Sequence, residues 1–229
     1  MKHTYDYPRP AVTTDCVALR FSAGHLKLVL IQRAHKPFKN AWALPGGFLD
    51  MDEDLKTCVC RELEEETGIT NVFVEQIKAY GTVDRDPRGR TVSVAFLGLM
   101  NPDDSQLDAG DDASDAQWFR IDQLPKLAFD HGQVIKDALA LLRTKVRSEP
   151  IGFELLPKKF PLRDLQRLYE IILDQSFDKR NFRRRILDLG VLVDVGQVEK
   201  NSKHRAAKLY RFDRKKYKQM KKNEVAFKL

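Results

Sequence analysis

The segment from Gly47 to Ile69, GFLDMDEDLKTCVCRELEEETGI, restricts what this chain can become more than any other stretch. Four glutamates, Glu62, Glu64, Glu65 and Glu66, fall within five consecutive positions of a helical pattern. Leu55, Val59 and Leu63 form its apolar stripe, and the periodicity predicts a helix from Leu55 to Thr67. On that helix Glu62, Glu65 and Glu66 stand at i, i+3 and i+4 and share a face, while Glu64 points elsewhere. Like charges so placed cost about 0.2–0.5 kcal/mol per pair. A cation that collects them removes the cost. Three carboxylates are hard oxygen ligands, and the ions that suit them together with waters and phosphates are Mg²⁺ and Mn²⁺.

The rest of the chain supplies the body for such a site. With 229 residues, 42% of them hydrophobic, it can bury one substantial core or two modest ones. No apolar run approaches the length of about 20 residues that a membrane span needs, and MKHTYDYPRP carries no apolar stretch behind its lysine. A cytoplasmic protein with no membrane partner is expected. The odd cysteine count, Cys16, Cys58 and Cys60, without zinc spacing, fits reduced thiols.

Charge divides the chain in two. Residues 1–150 carry 19 Lys and Arg against 23 Asp and Glu, whereas 151–229 carry 21 against 10, a net of +11. Three prolines in RSEPIGFELLPKKFP follow a helix pattern from His131 to Arg147, as a linker would, and place the domain cut near 150. Before it, the β-rich runs CVALRF, LKLVLIQR, VFVEQI, TVSVAFLGLM and AQWFRI surround the glutamate helix. An α+β domain with a mixed sheet is expected. The acidic NPDDSQLDAGDDASD reads as a solvated connection.

The domain is acidic, so an anionic ligand would need cations. VDRDPRGRTVSV offers Arg85, Arg88 and Arg90 on a turn between two strands. Trp42, Phe38 and Phe48, in FKNAWALPGGF, are candidates to stack on a base. His131 reads as a helix start capped by Asp130, not as a catalyst.

The basic third has a different grammar. PLRDLQRLYEIIL is amphipathic, DQSFD interrupts it, and KRNFRRRILDLG makes a second helix ending at Gly190 with Phe182, Ile186 and Leu189 inward. VLVDVG and AKLYRF follow as short strands around the basic loop QVEKNSKHRA, which holds Arg205. Helix, turn, arginine-rich helix and hairpin is the order of a winged helix on double-stranded DNA. Asn181, Arg184 and Arg185 are the base-reading candidates, with Lys179, Arg180 and Arg183 nearer the backbone.

Gly47, Glu53, Arg61, Glu62, Leu63, Glu65, Glu66, Gly68 and Ile69 match every specified position of the Nudix box. The first domain therefore resembles a Nudix protein, which implies an α/β/α sandwich. The resemblance assigns Glu62, Glu65 and Glu66 to metal binding, with Glu62 or a neighbouring carboxylate activating water. It pairs Arg61 with Glu53, gives a Gly46 carbonyl to the metal, and uses Gly47 for a tight turn. With the winged helix behind it, and with HKPFKNAWALPGGFLD, RDPRGRTVSV, LAFDHGQVI, NFRRRIL and AAKLYRF, the chain resembles the NrtR family of Nudix-related transcriptional regulators of NAD metabolism. That resemblance implies a homodimeric repressor sensing ADP-ribose or a related nucleotide. Every metal-ligating glutamate is present here, so Mg²⁺-dependent diphosphate hydrolysis is expected to be retained. Two other readings are a plain Nudix hydrolase of ADP-ribose pyrophosphatase type with a basic accessory domain, and a Nudix-fold isomerase.

Overall fold

The computed structural model describes residues 5–103, 116–199, 206–223 and 227. Arg205 and most of the acidic stretch 101–115 lie outside the described residues. By their contacts the residues fall into two compact groups, one within 1–19, 27–99 and 105–138, the other within 20–26, 100–104 and 139–229. Residues 139–150 thus belong with the second group, ahead of the change in composition at 150.

The first group is built on a mixed sheet. Strands β1 (Ala11–Ser22), β2 (His25–Gln32), β3 (Trp42–Ala43), β4 (Phe73–Tyr80) and β5 (Thr91–Met100) lie in the order β3-β2-β1-β5-β4, and β6 (Ala116–Arg120) pairs antiparallel with β2. The central strands β1 and β5 are buried along most of their length because both faces are covered, while the edge strand β4 is largely exposed. Helix α1 (Leu55–Thr67) has the predicted bounds. Asp54 caps its start, accepting from the Thr57 amide at 2.7 Å, and Gly68 ends it at φ 69°, where a side chain would be strained. Its inward side is Cys58, Val59 and Leu63, with Leu55 half-buried. Helix α2 (His131–Ser148) begins at the predicted residue. Its cap differs from expectation, because the Asp130 carboxylate holds Arg85 instead. Cys16 and Cys58 are buried, Cys60 is half-buried, and all three are free thiols.

The second group contains β7 (Phe160–Pro161), α3 (Leu162–Leu173), α4 (Lys179–Asp188), β8 (Leu192–Val198), β9 (Lys208–Phe212) and α5 (Arg214–Lys222). The three strands form an antiparallel sheet in the order β7-β9-β8. Leu165, Leu168, Tyr169 and Ile172 of α3 meet Phe182 and Ile186 of α4 in its core. The proline-rich stretch expected as a linker is ordered in its own right. Residues Pro150–Leu155 form a 3-10 helix that buries Ile151, Phe153 and Leu155, with the Phe153 ring stacked on Phe212 at 4.3 Å. Helix α5 carries no apolar period in its sequence, since RKKYKQMKK has only Tyr217 and Met220 as apolar residues. Among the described residues no helix is long and apolar enough to cross a membrane.

Candidate functional site

Among the described residues two candidate sites stand out, one in each group. In the first, the turn after β3 lays Gly46 and Gly47 across the face of α1. A methyl group on Gly47 would meet the Glu62 carboxylate and displace it, whereas one on Gly46, at φ 155°, would run into the Thr14 backbone carbonyl, a clash that only glycine avoids. The Gly46 amide donates to Glu66 Oε2 at 2.8 Å. Arg61 ties loop to helix: its Nη2 is 2.6 Å from Glu53 Oε1, and its Nη1 is 2.8 Å from Glu62 Oε1 and 3.1 Å from Glu65 Oε2. Hydrogen bonds from Arg61 and from the Asp50 amide hold Glu53 down to about 2. Glu53 is therefore a fixed structural anion.

The carboxylates are not equivalent. Glu62 and Glu66 line a cavity of about 380 Å³, whereas Glu65 faces Arg61 outside it, with more than half of its side chain exposed. Burial raises the Glu62 carboxyl and pushes Glu66 up to about 7, with Glu62 and Asp15 adding repulsion at Glu66. Among the described residues no three His, Cys, Asp or Glu side chains form a ready-made metal cage. Mg²⁺ does not need one, because it is commonly held by one or two carboxylates with waters and substrate phosphates. Two oxygen ligands side by side, both penalised for being charged, are a donor set that such an ion fits.

The opposite wall is cationic and aromatic. Arg88 is paired with Asp86, Nη2 to Oδ2 at 2.7 Å, and its guanidinium lies 5.3 Å from the Phe48 ring centroid and 5.8 Å from that of Phe129. Arg33 lies 4.9 Å from the Phe129 ring, with its Nε donating to the Pro37 carbonyl at 2.8 Å. Burial and the neighbouring Arg88 hold the Arg33 guanidinium below the usual arginine range. Two crowded guanidiniums over aromatic rings call for an anion. Phe38 and Phe129, at φ 60° and 50°, meet edge to face at 4.8 Å. That backbone conformation is uncommon for large side chains and gathers at ligand sites.

The floor is a buried polar network. Asp15 accepts from Ser93 Oγ, lies 3.5 Å from Arg85 Nη2, and has Oδ1 3.6 Å from His131 Nε2. Arg85 is also bidentate to Asp130, at 2.7 and 3.0 Å. His131 Nδ1 accepts from the Leu44 amide at 2.9 Å. Burial lowers the His131 pKa, so the ring is neutral, with its proton on Nε2 facing Asp15.

Of the sequence candidates, Arg61, Glu62, Glu66, Gly46, Phe48, Arg85 and Arg88 all line the cavity. Trp42 and Arg90 are turned elsewhere. The Trp42 ring packs on Phe119 at 4.7 Å, and Arg90 donates to the Gly81 carbonyl at 2.8 Å. Asp15, Arg33, Asp86, Phe129 and His131 belong to the lining although the sequence does not single them out as ligand residues. Asp15 left a signal, a lone carboxylate in the apolar run TTDCVALRF; Phe129 left none.

In the second group, α4 is capped by Asp178, which accepts from the Asn181 amide at 2.9 Å. Burying Phe182 and Ile186 leaves Lys179, Arg180, Asn181, Arg183, Arg184 and Arg185 exposed. Such a face suits phosphates and base edges.

Residues 9–138 match the family model described as NUDIX domain, and residues 152–212 match the one described as NrtR DNA-binding winged helix domain. The chain is 39% identical over 211 residues to an ADPR responsive transcriptional repressor NtrR from Acinetobacter baylyi, covering 90% of this chain and 84% of that one. It is 41% identical over 131 residues to an ADP-ribose pyrophosphatase from Methanocaldococcus jannaschii, covering 57% and 74%. The crystal structure of Shewanella oneidensis NrtR complexed with a 27mer DNA superimposes with a TM-score of 0.79 at 33% identity, covering 90% of this chain and 95% of that one.

Proposed function

The chain belongs to the NrtR family of Nudix-related regulators, and we propose that it is a DNA-binding transcriptional repressor of NAD metabolism that responds to ADP-ribose. The observation that carries this reading is the pairing, within one chain, of a phosphate-suited cavity with an arginine-faced helix. In the cavity, Arg33 and Arg88 would meet the diphosphate, and Phe48 and Phe129 would flank the base or ribose. Arg85, locked to Asp130 and Asp15, would hold the floor and the start of α2. On α4, Asn181, Arg184 and Arg185 would read bases, with Lys179, Arg180 and Arg183 on phosphates and Arg205 in the wing loop. Two recognition helices on a palindrome require a two-fold symmetric pair, so the working form is a homodimer.

The same cavity supports retained hydrolysis. Glu62 and Glu66, with Glu65 released from Arg61 and a Gly46 carbonyl, would hold Mg²⁺ or Mn²⁺, which supplies charge neutralisation and an activated water. Arg61 and Glu53 position the loop that carries Gly46 and Gly47. The intact box favours this activity, and a plain ADP-ribose pyrophosphatase is the alternative function.

Both are tested in one experiment. The full chain selects binding sites from a random DNA pool, and the enriched DNA is retarded on a gel with increasing ADP-ribose while products are followed. A repressor enriches a palindrome and releases it as ADP-ribose rises. A plain hydrolase enriches nothing and still cleaves.

A further inference from the structure

The +11 excess of the C-terminal third is not accounted for by α4. Six of the nine residues of α5 are Lys or Arg, and the helix lies beyond residues 152–212 of the winged-helix match. It is not a loose tail. Asp213 caps it, accepting from the Lys215 and Lys216 amides at 3.1 Å, and the Asp213 amide donates at 2.8 Å to the carbonyl of Val191, just past the end of α4. Tyr217 meets the rings of Phe212 and Phe227 at 6.0 and 6.3 Å, and Arg214 Nη2 donates to both carboxylate oxygens of Glu154 at 2.8 Å.

With Tyr217 and Met220 facing inward, Lys215, Lys218 and Lys222 follow one another at i, i+3 and i+7 down the outer side. Among the described residues none of the three forms an ion pair with an acidic side chain. Like charges at this spacing repel. The row spans about 10 Å at about 1.5 Å per residue. Each strand of duplex DNA presents one phosphate per about 3.4 Å of axis.

We propose that the Lys215, Lys218 and Lys222 row of α5 is a second DNA-contacting element, which clamps the phosphate backbone beside the site read by α4. It carries affinity without reading sequence. The inference rests on the DNA-binding reading above and adds a surface that reading does not use.

The test is a salt titration of the full chain on selected and random duplexes, comparing wild type with Lys215→Gln/Lys218→Gln/Lys222→Gln. Glutamine has nearly the helix propensity of lysine, so α5 is retained. The slope of log K against log salt is expected to flatten by about 0.9 for each phosphate that is no longer neutralised, alike on both duplexes. The matching triple substitution to arginine should keep the wild-type slope, and ADP-ribose binding should be unchanged in both variants. An unchanged slope in the glutamine variant, with wild type binding DNA, overturns the α5 clamp alone. Failure of wild type to bind any duplex overturns the DNA-binding reading as well.

Discussion

Glu66 concentrates the electrostatic tension of the first group. Its carboxyl is pushed from the ordinary 4.5 to about 7, first by burial and then by Glu62 and Asp15, against the help of the Gly46 amide. A raised carboxyl pKa means that the fold favours the protonated form. That contribution is complete below about pH 4.5 and is lost as pH rises toward about 7. Without a divalent ion, the melting temperature should therefore fall across that window. Mg²⁺ should raise it little near pH 5 and more near pH 8, because only the charged carboxylate binds the ion. Thermal melts with and without Mg²⁺ across this range check the sign. Glu66→Gln should flatten the Mg²⁺-dependent part and lower ADP-ribose cleavage by at least about 100-fold, a loss of about 2.7 kcal/mol in the transition state. An Mg²⁺ shift that persists in Glu66→Gln would remove this carboxylate from the metal site.

At the scale of elements, α4 is where a solvated face and a DNA-reading face make opposite predictions. Its inward residues, Phe182 and Ile186, leave no freedom in phase, so alanine substitutions from 179 to 185 sort by position. Arg184→Ala or Arg185→Ala should cost about 1–3 kcal/mol at the selected site and little on random DNA. Lys179→Ala and Arg183→Ala should weaken both duplexes alike and flatten the salt slope by about one unit each. Affinity unchanged across the whole scan would clear this helix of DNA. Much of the element pattern is legible along the chain, because α1, α3 and α4 carry a helical period and recognisable end signals. The 3-10 helix at Pro150–Leu155 and α5 are not, because the first is too short for a period and the second has too few apolar residues to make one.

For the whole molecule, an effector can shift DNA affinity only through unequal binding to DNA-competent and incompetent arrangements. The proposed nucleotide site and the proposed DNA site stand in different groups of residues. The second group takes in the latter part of α2, where Leu142 and Val146 are buried and Arg143 Nε donates to the Ile172 carbonyl at 2.9 Å. A fragment starting at 139 keeps those partners, whereas one starting at 151 loses them. The longer fragment is expected to retard the selected DNA with no response to ADP-ribose, while the full chain releases it. A fragment that still responds would move the effector site out of the Nudix domain.

What is local or additive can be read along the chain. The spacing from Gly47 to Ile69, the ends of α1, the order of the longer strands and of α1 to α4, and the split of charge near 150 depend on period, capping and composition, and each is readable without a fold. Which side chains line the cavity follows from tertiary packing. Asp15, Arg33, Phe129 and His131 converge across about a hundred residues of chain, with Asp15 Oδ1 3.6 Å from His131 Nε2 and the Arg33 guanidinium 4.9 Å from the Phe129 ring. The same packing turned Trp42 onto Phe119, and Glu65 onto Arg61. Burial then raised Glu66 and kept His131 neutral. Desolvation is a property of the filled space around a group, and no pattern along the chain records it.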